Sequence, residues 1–201
     1  MKSPLHLLYN LIDYIVPPRR TETIVASLSI EDLYSLQTEN GLPYHDDKVA
    51  ALVWELKYYA NPRAAALAGE LLAEEITHLA SEEIGVPLLV PVPMHHTRRS
   101  ERGHNQTEVL CEALLQHASL DYAPSLLRRS VATVQQQGLP KHKRVKNVHG
   151  AMEVSGKETL KDRVCIVVDD VQTTGATLSE AKRALLHGGA RKVVTVALAH
   201  S

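Results

Sequence analysis

Hydrophobic positions follow two different spacings along this chain. In "PRAAALAGELLAEEITHLA" (62–80) and "TLSEAKRALLHGGA" (177–190) apolar residues recur every three or four positions, which predicts amphipathic helices. Pro62 suits the start of the first helix, and Gly188 and Gly189 suit the end of the second. The segment "TEVLCEALLQHA" (107–118) predicts another helix, and residues 49–55 suit either a short helix or a strand.

Three other segments are continuously apolar over the length of a strand. They are "VPLLVPVP" (86–93), "DRVCIVVDDV" (162–171) and "KVVTVALA" (192–199). Such runs are typical of strands that are buried on both faces. The order strand, helix, strand with short links predicts an α/β fold with a mostly parallel sheet flanked by helices. In open sheets of this kind ligands bind beyond the carboxyl ends of the strands.

The first twenty residues, "MKSPLHLLYNLIDYIVPPRR", predict a short amphipathic helix that ends at Pro17 and Pro18. Polar residues interrupt the apolar run and no small-residue cleavage site follows, so we do not interpret it as a targeting signal. The apolar residues at helical spacing are Leu5, Leu8, Ile12 and Ile15. No segment reaches the roughly 20 apolar residues of a membrane span, and we expect a soluble protein without membrane insertion.

Charge and cysteine content narrow the function classes. A formal net charge of −1 provides no global attraction to nucleic acid or membrane. Residues 91–150, however, hold 9 Lys/Arg against 4 Asp/Glu, which is either a solvated basic face or a local anion-binding patch. Cys111 and Cys165 are too few for a disulfide framework or a cysteine-only zinc site, and they suit a reducing cytoplasm.

The stretch "IVVDDVQTTGAT" (166–177) joins two carboxylates to a hydroxyl-rich turn. Asp169 and Asp170 end a strand, where their oxygens suit sugar hydroxyls or a hydrated metal ion. Gly175 lets the backbone approach an anion closely, and the turn opens a helix whose N-terminus favours negative charge. A ribose 5-phosphate offers both groups at about the right separation. The alternative is that Asp170 and Thr174 only cap the helix and Asp169 is solvated.

This stretch resembles the phosphoribosyl-pyrophosphate (PRPP) motif of type I phosphoribosyltransferases. Further blocks are similar to the ComF branch, also called the competence-protein or GntX-like branch, over essentially the whole chain. Those blocks are "LKYY" (56–59), "VPVPMHHTRRSERGHNQ" (90–106) and "LLRRSVATVQQQGLPKHKRVKNVHGAM" (126–152). The resemblance implies a small N-terminal appendage over 1–46 and a phosphoribosyltransferase-like domain over 47–201.

The resemblance also implies roles for individual residues. The acidic pair Asp169 and Asp170 would meet the ribose hydroxyls and, indirectly, Mg²⁺ bound with PRPP. The loop that would hold the 5-phosphate is Val171, Gln172, Thr173, Thr174, Gly175, Ala176 and Thr177. The residues that would hold the diphosphate are Lys57, Tyr58, Arg98, Arg99 and Arg102, with Arg102 also assigned to catalysis. We place the three arginines in a loop just beyond a strand end, where guanidinium groups suit a diphosphate. The alternatives are a solvated loop for the arginines and an ordinary surface lysine for Lys57.

The residues that would meet the acceptor are less defined. His104, Asn105 and Gln106 suit either a loop-holding role or contact with the acceptor, and Lys143 and Arg144 lie in a basic segment that would cover the site as a hood. This segment has no interleaved aromatic residues for base stacking, so it is equally well an exposed loop or a contact for a phosphate backbone. Cys111 fits a buried small side chain better than a nucleophile.

The chain departs from the ComF pattern at its N-terminus. ComF proteins commonly begin with a four-cysteine zinc ribbon, whereas the corresponding positions here are Arg20, Thr23, Gln37 and Asn40. These four residues are not a tetrahedral zinc ligand set, so we expect no zinc and a ribbon-like or irregular appendage. Any zinc-assisted DNA contact is therefore in doubt.

Two classes of function remain. The first is a phosphoribosyltransferase that binds PRPP or a ribose phosphate with Mg²⁺ and transfers the phosphoribosyl group to an unknown acceptor. The second is a non-catalytic protein with the same fold, either handling single-stranded DNA or sensing PRPP. The ComF resemblance implies a link to DNA uptake and to competence proteins. The sequence leaves the oligomeric state open.

Overall fold

A parallel sheet of five strands forms the centre of the chain. The computed structural model describes residues 20–81, 83, 86–129, 150–155 and 160–201. The sheet has the strand order β1-β7-β6-β2-β3, and every neighbouring pair in it is parallel. Its strands are β1 (Leu42–Pro43), β2 (Leu88–Pro91), β3 (Asp121–Tyr122), β6 (Val164–Gln172) and β7 (Lys192–His200). The predicted parallel sheet is therefore confirmed.

Two further strands, β4 (Leu127–Arg129) and β5 (Met152–Val154), pair antiparallel as a separate ribbon. Helices surround the sheet, and the apolar spacings at 62–80, 107–118 and 177–190 all correspond to helices. The helices of the described residues are α1 (Thr21–Ser27), α2 (Ile30–Leu36), α3 (Asp47–Tyr59), α4 (Pro62–Ser81), α5 (His96–Arg102), α6 (Gln106–Leu114) and α7 (Ala176–His187). The ambiguous segment 49–55 belongs to helix α3 because Asp46 caps its first turn through Lys48 N, at 2.8 Å.

Strand β6 is the central element, and its two faces contact different parts of the core. Ile166 and Val168 belong to a buried cluster that includes side chains of α3, α4 and α6. Cys165 and Val167 belong to a second cluster with side chains of α7, β4 and β5. Successive residues of a strand point to opposite faces, so β6 separates the two clusters. This alternation also decides what the residues at the end of β6 can reach.

The close approach of α4 and α6 depends on Gly69. A Cβ atom at this position would lie 2.7 Å from the backbone carbon of Ala113 and from the backbone nitrogen of Leu114. Backbone atoms cannot move aside as a flexible side chain can, so only glycine fits here. The contact fixes α6, and with it the preceding turn that carries candidate site residues, against the sheet.

Helices α1 and α2 occupy much of the described N-terminal part, where a ribbon-like or irregular conformation was expected, and a turn with an antiparallel bridge between Thr38 and Gly41 follows them. Ser29 and Asp32 form a capping box, with Ser29 N donating to Asp32 and Asp32 N donating to Ser29. Val25 and Leu33 are fully buried in the same cluster as α3 and α4. The predicted helix before Pro17 lies outside the described residues, and the domain division at residue 46 stays a prediction. None of the described helices is long and apolar enough to cross a membrane.

Candidate active site

The end of β6 presents two buried carboxylates followed by a turn into α7. Asp169 and Asp170 are only 8% and 6% exposed. Gly175 has a φ of 73°, a conformation that residues with a Cβ rarely adopt, and α7 begins at the next residue. Gly175 is the N-cap and offers no side chain to the first N–H groups of α7, although Thr174 Oγ1 accepts a long bond of 3.4 Å from Ala176 N. These backbone donors are suited to an anion.

The two carboxylates have different further neighbours, although their side chains also interact with each other. Asp170 continues the face of Ile166 and Val168, and its Oδ2 lies 3.1 Å from Lys57 Nζ, at the last turn of α3. Asp169 continues the face of Cys165 and Val167, toward α7 and the β4–β5 ribbon. The resemblance implied that Lys57 and the acidic pair belong to one site. In the structure Lys57 forms its ion pair with Asp170, and its charge also acts on Asp169.

This difference separates the pKa values of the pair. Burial raises the pKa of Asp169 well above its ordinary value, and the neighbouring charge of Asp170 raises it further. Burial also acts to raise the pKa of Asp170, but the charge of Lys57 outweighs it and leaves that pKa below its ordinary value. For Lys57, burial acts to lower the pKa, and the charge of Asp170 overcomes this and raises it. Lys57 therefore favours the ionised form of Asp170 over that of Asp169.

Aromatic rings and Arg102 surround the end of α3. Lys57 Nζ lies 5.8 Å from the ring centre of Tyr44. The Tyr58 ring packs 4.2 Å from the Trp54 ring, centre to centre, and the Arg102 guanidinium lies 4.8 Å from the Tyr58 ring centre. The cation–π contact places Arg102 beside Tyr58 at the end of α3, and Lys57 is the residue before Tyr58 on the same helix. Their assignment to one ligand stays a prediction.

The three predicted diphosphate arginines lie on helix α5 and not in a loop. His95 caps this helix by accepting from Thr97 N at 3.4 Å, and Gly103, with a φ of 80°, ends it. The sequence did not reveal the helix because none of its residues is buried, so it carries no apolar periodicity. Arg99 is engaged by Glu108, with its two terminal nitrogens donating at 2.6 and 2.8 Å. Arg99 would have to leave this bidentate pair to bind a ligand.

The residues after α5 contact the main chain. His104 bridges two carbonyl oxygens, those of Leu56 and Arg102, each at 3.1 Å from a ring nitrogen. Asn105 is 2% exposed and donates to Val92 O at 3.2 Å, which ties the turn to the end of β2. Gln106 accepts a long bond of 3.4 Å from Arg102. Of the two roles that the sequence allowed, the contacts of His104 and Asn105 correspond to loop holding. Lys143 and Arg144 lie outside the described residues.

Two features of the Asp169 side were missed by sequence reasoning. Arg129, at the end of β4, has a buried Nε, and its charge interacts with those of Asp169 and Arg98. Glu180 of α7 is 4% exposed and accepts from Met152 N at 3.2 Å, which attaches the β4–β5 ribbon to α7. Arg129 lies in the segment "LLRRS". If this segment had been interpreted as a strand, the alternation of its side chains would have predicted one inward and one outward arginine.

The donor set fits magnesium only as a partner of a bound ligand. Among the residues that the structure describes, no group of three or more His, Cys, Asp or Glu side chains could hold a metal ion. Mg²⁺ commonly binds through one or two carboxylates together with substrate phosphates and water. Asp169 and Asp170 supply the two carboxylates of this pattern. This agrees with an indirect role, in which they would meet Mg²⁺ through the bound ligand and water.

Neither cysteine is placed as a nucleophile. Both are buried, and burial raises the pKa of Cys111 far above its ordinary value and that of Cys165 to about 11. Thiols with such pKa values are protonated at neutral pH. Cys111 packs in the same cluster as α3 and α4, as expected for a small apolar side chain.

Comparison with known proteins gives consistent relatives. The family model described as "Phosphoribosyl transferase domain" matches residues 57–201. DNA utilization protein YhgH of Salmonella typhi is 31% identical over 148 residues, which cover 72% of this chain and 64% of that protein. Competence protein F of Haemophilus influenzae is 31% identical over 114 residues, covering 56% of this chain and 50% of that protein. The chain thus spans somewhat less than two thirds of the YhgH relative's length.

Solved structures with a similar arrangement include a hypoxanthine phosphoribosyl transferase of Trypanosoma cruzi. It is 14% identical with a TM-score of 0.45, and the match covers 68% of this chain and 65% of that one. The glutamine PRPP amidotransferase of B. subtilis is 15% identical with a TM-score of 0.43, covering 71% of this chain and 30% of that one.

Proposed function

Because the chain belongs to the phosphoribosyl transferase family, in its ComF branch, we propose that it binds PRPP and transfers the phosphoribosyl group to an acceptor. The observation that carries the proposal is the end of β6. There, two buried carboxylates precede a turn whose glycine has a φ of 73° and is the N-cap of α7. Among the described residues, the side-chain bond to this helix start is the long one from Ala176 N to Thr174 Oγ1. Carboxylates suit the ribose hydroxyls, and the turn suits the 5-phosphate.

In this function Asp169 and Asp170 hold and orient the ribose. The first turn of α7 holds the 5-phosphate, which fixes the sugar at two points and directs C1 toward the diphosphate site. When bound with PRPP, Mg²⁺ neutralises charge on the diphosphate, and Asp169 and Asp170 are the residues that would hold it, through the ligand and water.

The bond between C1 and the diphosphate breaks, and the electron pair leaves with the diphosphate as the sugar approaches an oxocarbenium-like state. Lys57 and Arg102 stabilise the negative charge that develops on the leaving group. The acceptor then forms the new bond at C1.

Lys57 has two competing partners in this scheme. Without ligand its Nζ pairs with Asp170 at 3.1 Å. A diphosphate would attract the same ammonium group and free Asp170 to accept from a ribose hydroxyl. We therefore expect ligand binding to rearrange the Lys57–Asp170 pair, which links occupation of the diphosphate position to occupation of the ribose position.

The test is a calorimetric titration of the purified protein with PRPP, with and without Mg²⁺, in parallel with ribose 5-phosphate. We expect Mg²⁺-dependent binding of PRPP that is tighter than binding of ribose 5-phosphate. Asp121→Asn is a suitable control because Asp121 is exposed and lies on β3 opposite Leu88, the first residue of β2. Asp121 is therefore at the end of the sheet opposite to the carboxyl ends of the strands. Absence of binding by the wild type to either compound would contradict the proposal.

A second candidate function is the handling of single-stranded DNA. The names of the relatives, DNA utilization protein and competence protein F, favour it, as do the 9 Lys/Arg against 4 Asp/Glu in residues 91–150. Binding of a fluorescent oligonucleotide should then weaken linearly on a plot of log affinity against log salt concentration. A screen of acceptors for release of diphosphate separates an enzyme from a protein that only binds DNA or PRPP.

A further inference from the structure

We propose that His104 is a positioning residue of the diphosphate site. In its doubly protonated form it joins the last turn of α3 to the end of α5 and so holds Lys57 and Arg102 toward one ligand. The assignment of these two cations to a diphosphate rests on the proposed function. The bridge between the helices rests on the contacts of His104 alone, so the two claims can be tested separately.

The first observation is that the imidazole ring of His104 lies between two backbone carbonyl groups. Its Nε2 is 3.1 Å from Leu56 O, and its Nδ1 is 3.1 Å from Arg102 O. A carbonyl oxygen only accepts hydrogen bonds, and a neutral imidazole carries a single N–H, so the neutral ring can donate to one of the two oxygens. The imidazolium form carries two N–H groups and donates to both. The contacts on both sides of the ring therefore fit the charged form.

The second observation is that both carbonyl groups lie at the C-terminal ends of helices. Leu56 is in the last turn of α3, and Ala60 N, which would bond to Leu56 O in a continuing helix, donates to Glu55 O instead. Arg102 is the last residue of α5, so its carbonyl group has no N–H group of that helix ahead of it. Such terminal carbonyl groups carry partial negative charge and favour a nearby cation. Two helix ends thus favour the imidazolium form of His104.

The bridge connects the two segments that carry the assigned cations. Lys57 directly follows Leu56 on α3, and Arg102 supplies the second carbonyl group itself. None of the residues of α5 is buried, so packing does not fix this helix end. The Arg102 guanidinium nevertheless lies 4.8 Å from the ring centre of Tyr58 on α3. His104 fixes the main chain beside both cations, as a preorganised site requires.

The charge of His104 gives this role a pH dependence. A diphosphate and the proton on His104 favour each other because their charges are opposite. Diphosphate affinity should therefore be highest with the imidazolium form and fall as pH rises through the range where an imidazole loses its proton.

Other ionisable groups near the bridge have to be separated from His104. On the last turns of α3 and α5 and the first turn of α6 they are Lys57, Tyr58, Tyr59, Arg99, Glu101, Arg102 and Glu108. Lys57 pairs with Asp170, and Arg99 pairs with Glu108. Asp169 has a raised pKa, which brings its titration closer to neutral pH. Variants of His104 keep all these groups, so the difference between their pH profiles and that of the wild type isolates His104.

The experiment compares the wild type with His104→Phe, His104→Gln and the control His117→Gln. Phenylalanine keeps a ring and loses both donors, whereas glutamine keeps a neutral donor and loses the charge. His117 is exposed and lies beyond the opposite end of α6. Inorganic diphosphate and ribose 5-phosphate are titrated separately by calorimetry at pH 6 and pH 8, at one Mg²⁺ concentration.

At pH 6 we expect His104→Phe to bind diphosphate roughly tenfold more weakly than the wild type, which corresponds to the loss of one charge-assisted hydrogen bond. Its affinity for ribose 5-phosphate, and both affinities of His117→Gln, should change less than about twofold, because the residues assigned to the ribose and the 5-phosphate lie on β6 and α7. Between pH 6 and pH 8 the wild type should lose at least roughly threefold more diphosphate affinity than His104→Gln. A ¹⁵N NMR spectrum of the ligand-free wild type at pH 6 should show a hydrogen on both ring nitrogens of His104, assigned with His104→Gln.

A single protonated ring nitrogen at pH 6 would overturn the charged bridge. Diphosphate affinity of a folded His104→Phe equal to that of the wild type would overturn the positioning role, and so would an equal loss of ribose 5-phosphate affinity. If a thermal unfolding scan shows that His104→Phe does not fold, His104→Gln decides, and unchanged diphosphate affinity of this variant at pH 6 contradicts the proposal. If the wild type binds neither diphosphate nor PRPP, the proposed function fails together with the positioning role, and the NMR spectrum still decides whether the bridge exists.

Discussion

The two faces of β6 end in the same residue type but in different surroundings. On one face Asp170 pairs with Lys57 at 3.1 Å, and its pKa lies below the ordinary value. On the other face Asp169 forms no ion pair with any residue that the structure describes, and burial raises its pKa well above the ordinary value. Adjacent aspartates would be equivalent in an unfolded chain. The alternation of a strand makes them unequal by sending one toward α3 and the other toward the β4–β5 ribbon.

The different surroundings of Asp169 and Asp170 are relevant to the proposed function. A site that holds a sugar between a leaving diphosphate and an incoming acceptor needs two distinct sides. Lys57 gives one side a cation close to the strand end, and on the other side the charge of Arg129 acts on Asp169. The following predictions alter one side, the other side, or the turn that both share.

Removing both carboxylates should have the largest effect. The double variant Asp169→Asn and Asp170→Asn loses the charged acceptors for the ribose hydroxyls and for Mg²⁺. Two charge-assisted hydrogen bonds correspond to a roughly hundredfold or greater loss of PRPP affinity, measured by calorimetry. Unchanged affinity would show that the acidic pair is not the ribose site.

Lys57→Met should remove the ion pair that distinguishes Asp170 from Asp169. Asp170 is buried, and without Lys57 its carboxylate loses its partner in the ion pair, so we expect the free energy of unfolding to fall by about 3 kcal/mol. Urea unfolding at pH 7 measures it. The double variant Lys57→Met and Asp170→Asn removes the stranded charge and should recover part of the loss. Additive losses would mean that the two groups do not interact.

Gly175→Val alters the turn between the two faces. A Cβ atom here would lie no closer than 3.7 Å to its nearest neighbour, Gln172 Nε2, so the fold has room for it apart from the strain of a φ of 73°. That strain costs about 1–2 kcal/mol. The added side chain fills the space where the backbone would approach the phosphate. The affinity for ribose 5-phosphate should therefore fall about tenfold or more, which corresponds to the loss of one charge-assisted hydrogen bond. Normal binding by a folded variant would exclude the turn as the phosphate site.

The single variants Asp169→Asn and Asp170→Asn should change stability in opposite directions, each by about 1 kcal/mol. The raised pKa of Asp169 means that the folded state holds an extra proton above pH 4, so stability falls as pH rises through that pKa. Asn at this position removes the penalty and should stabilise the protein at pH 7. The lowered pKa of Asp170 gives stability above the ordinary aspartate pKa, which is lost as pH falls, so Asn there should destabilise.

Urea unfolding of both single variants at pH 4 and pH 7 separates these effects, since the difference between them should shrink at the lower pH. Shifts of equal sign at pH 7 would contradict the proposed inequality of the two carboxylates.

Sequence reasoning located β2, β6, β7 and the helices with strong apolar periodicity, because burial of one stripe or of both faces leaves a clear pattern. It missed helix α5, since none of its residues is buried, and it missed helices α1 and α2 in the segment that was expected to be ribbon-like or irregular. Short strands such as β1 and β4 hold two and three residues, too few for a period to be read. The sequence was sufficient to assign Asp169, Asp170 and the turn to the candidate site. Its division into two sides was not, because that depends on which elements pack on each face.

The most direct measurement is a pH titration of the side-chain carboxyl carbons of Asp169 and Asp170 by NMR, assigned with the two single variants and repeated with ribose 5-phosphate. The account predicts that, without ligand, Asp170 titrates below and Asp169 above the ordinary aspartate value. It also predicts that ribose 5-phosphate shifts both resonances while that of Asp121, at the far end of the sheet, stays in place. Two carboxylates that titrate together near the ordinary value, with no response to ribose 5-phosphate, would contradict it.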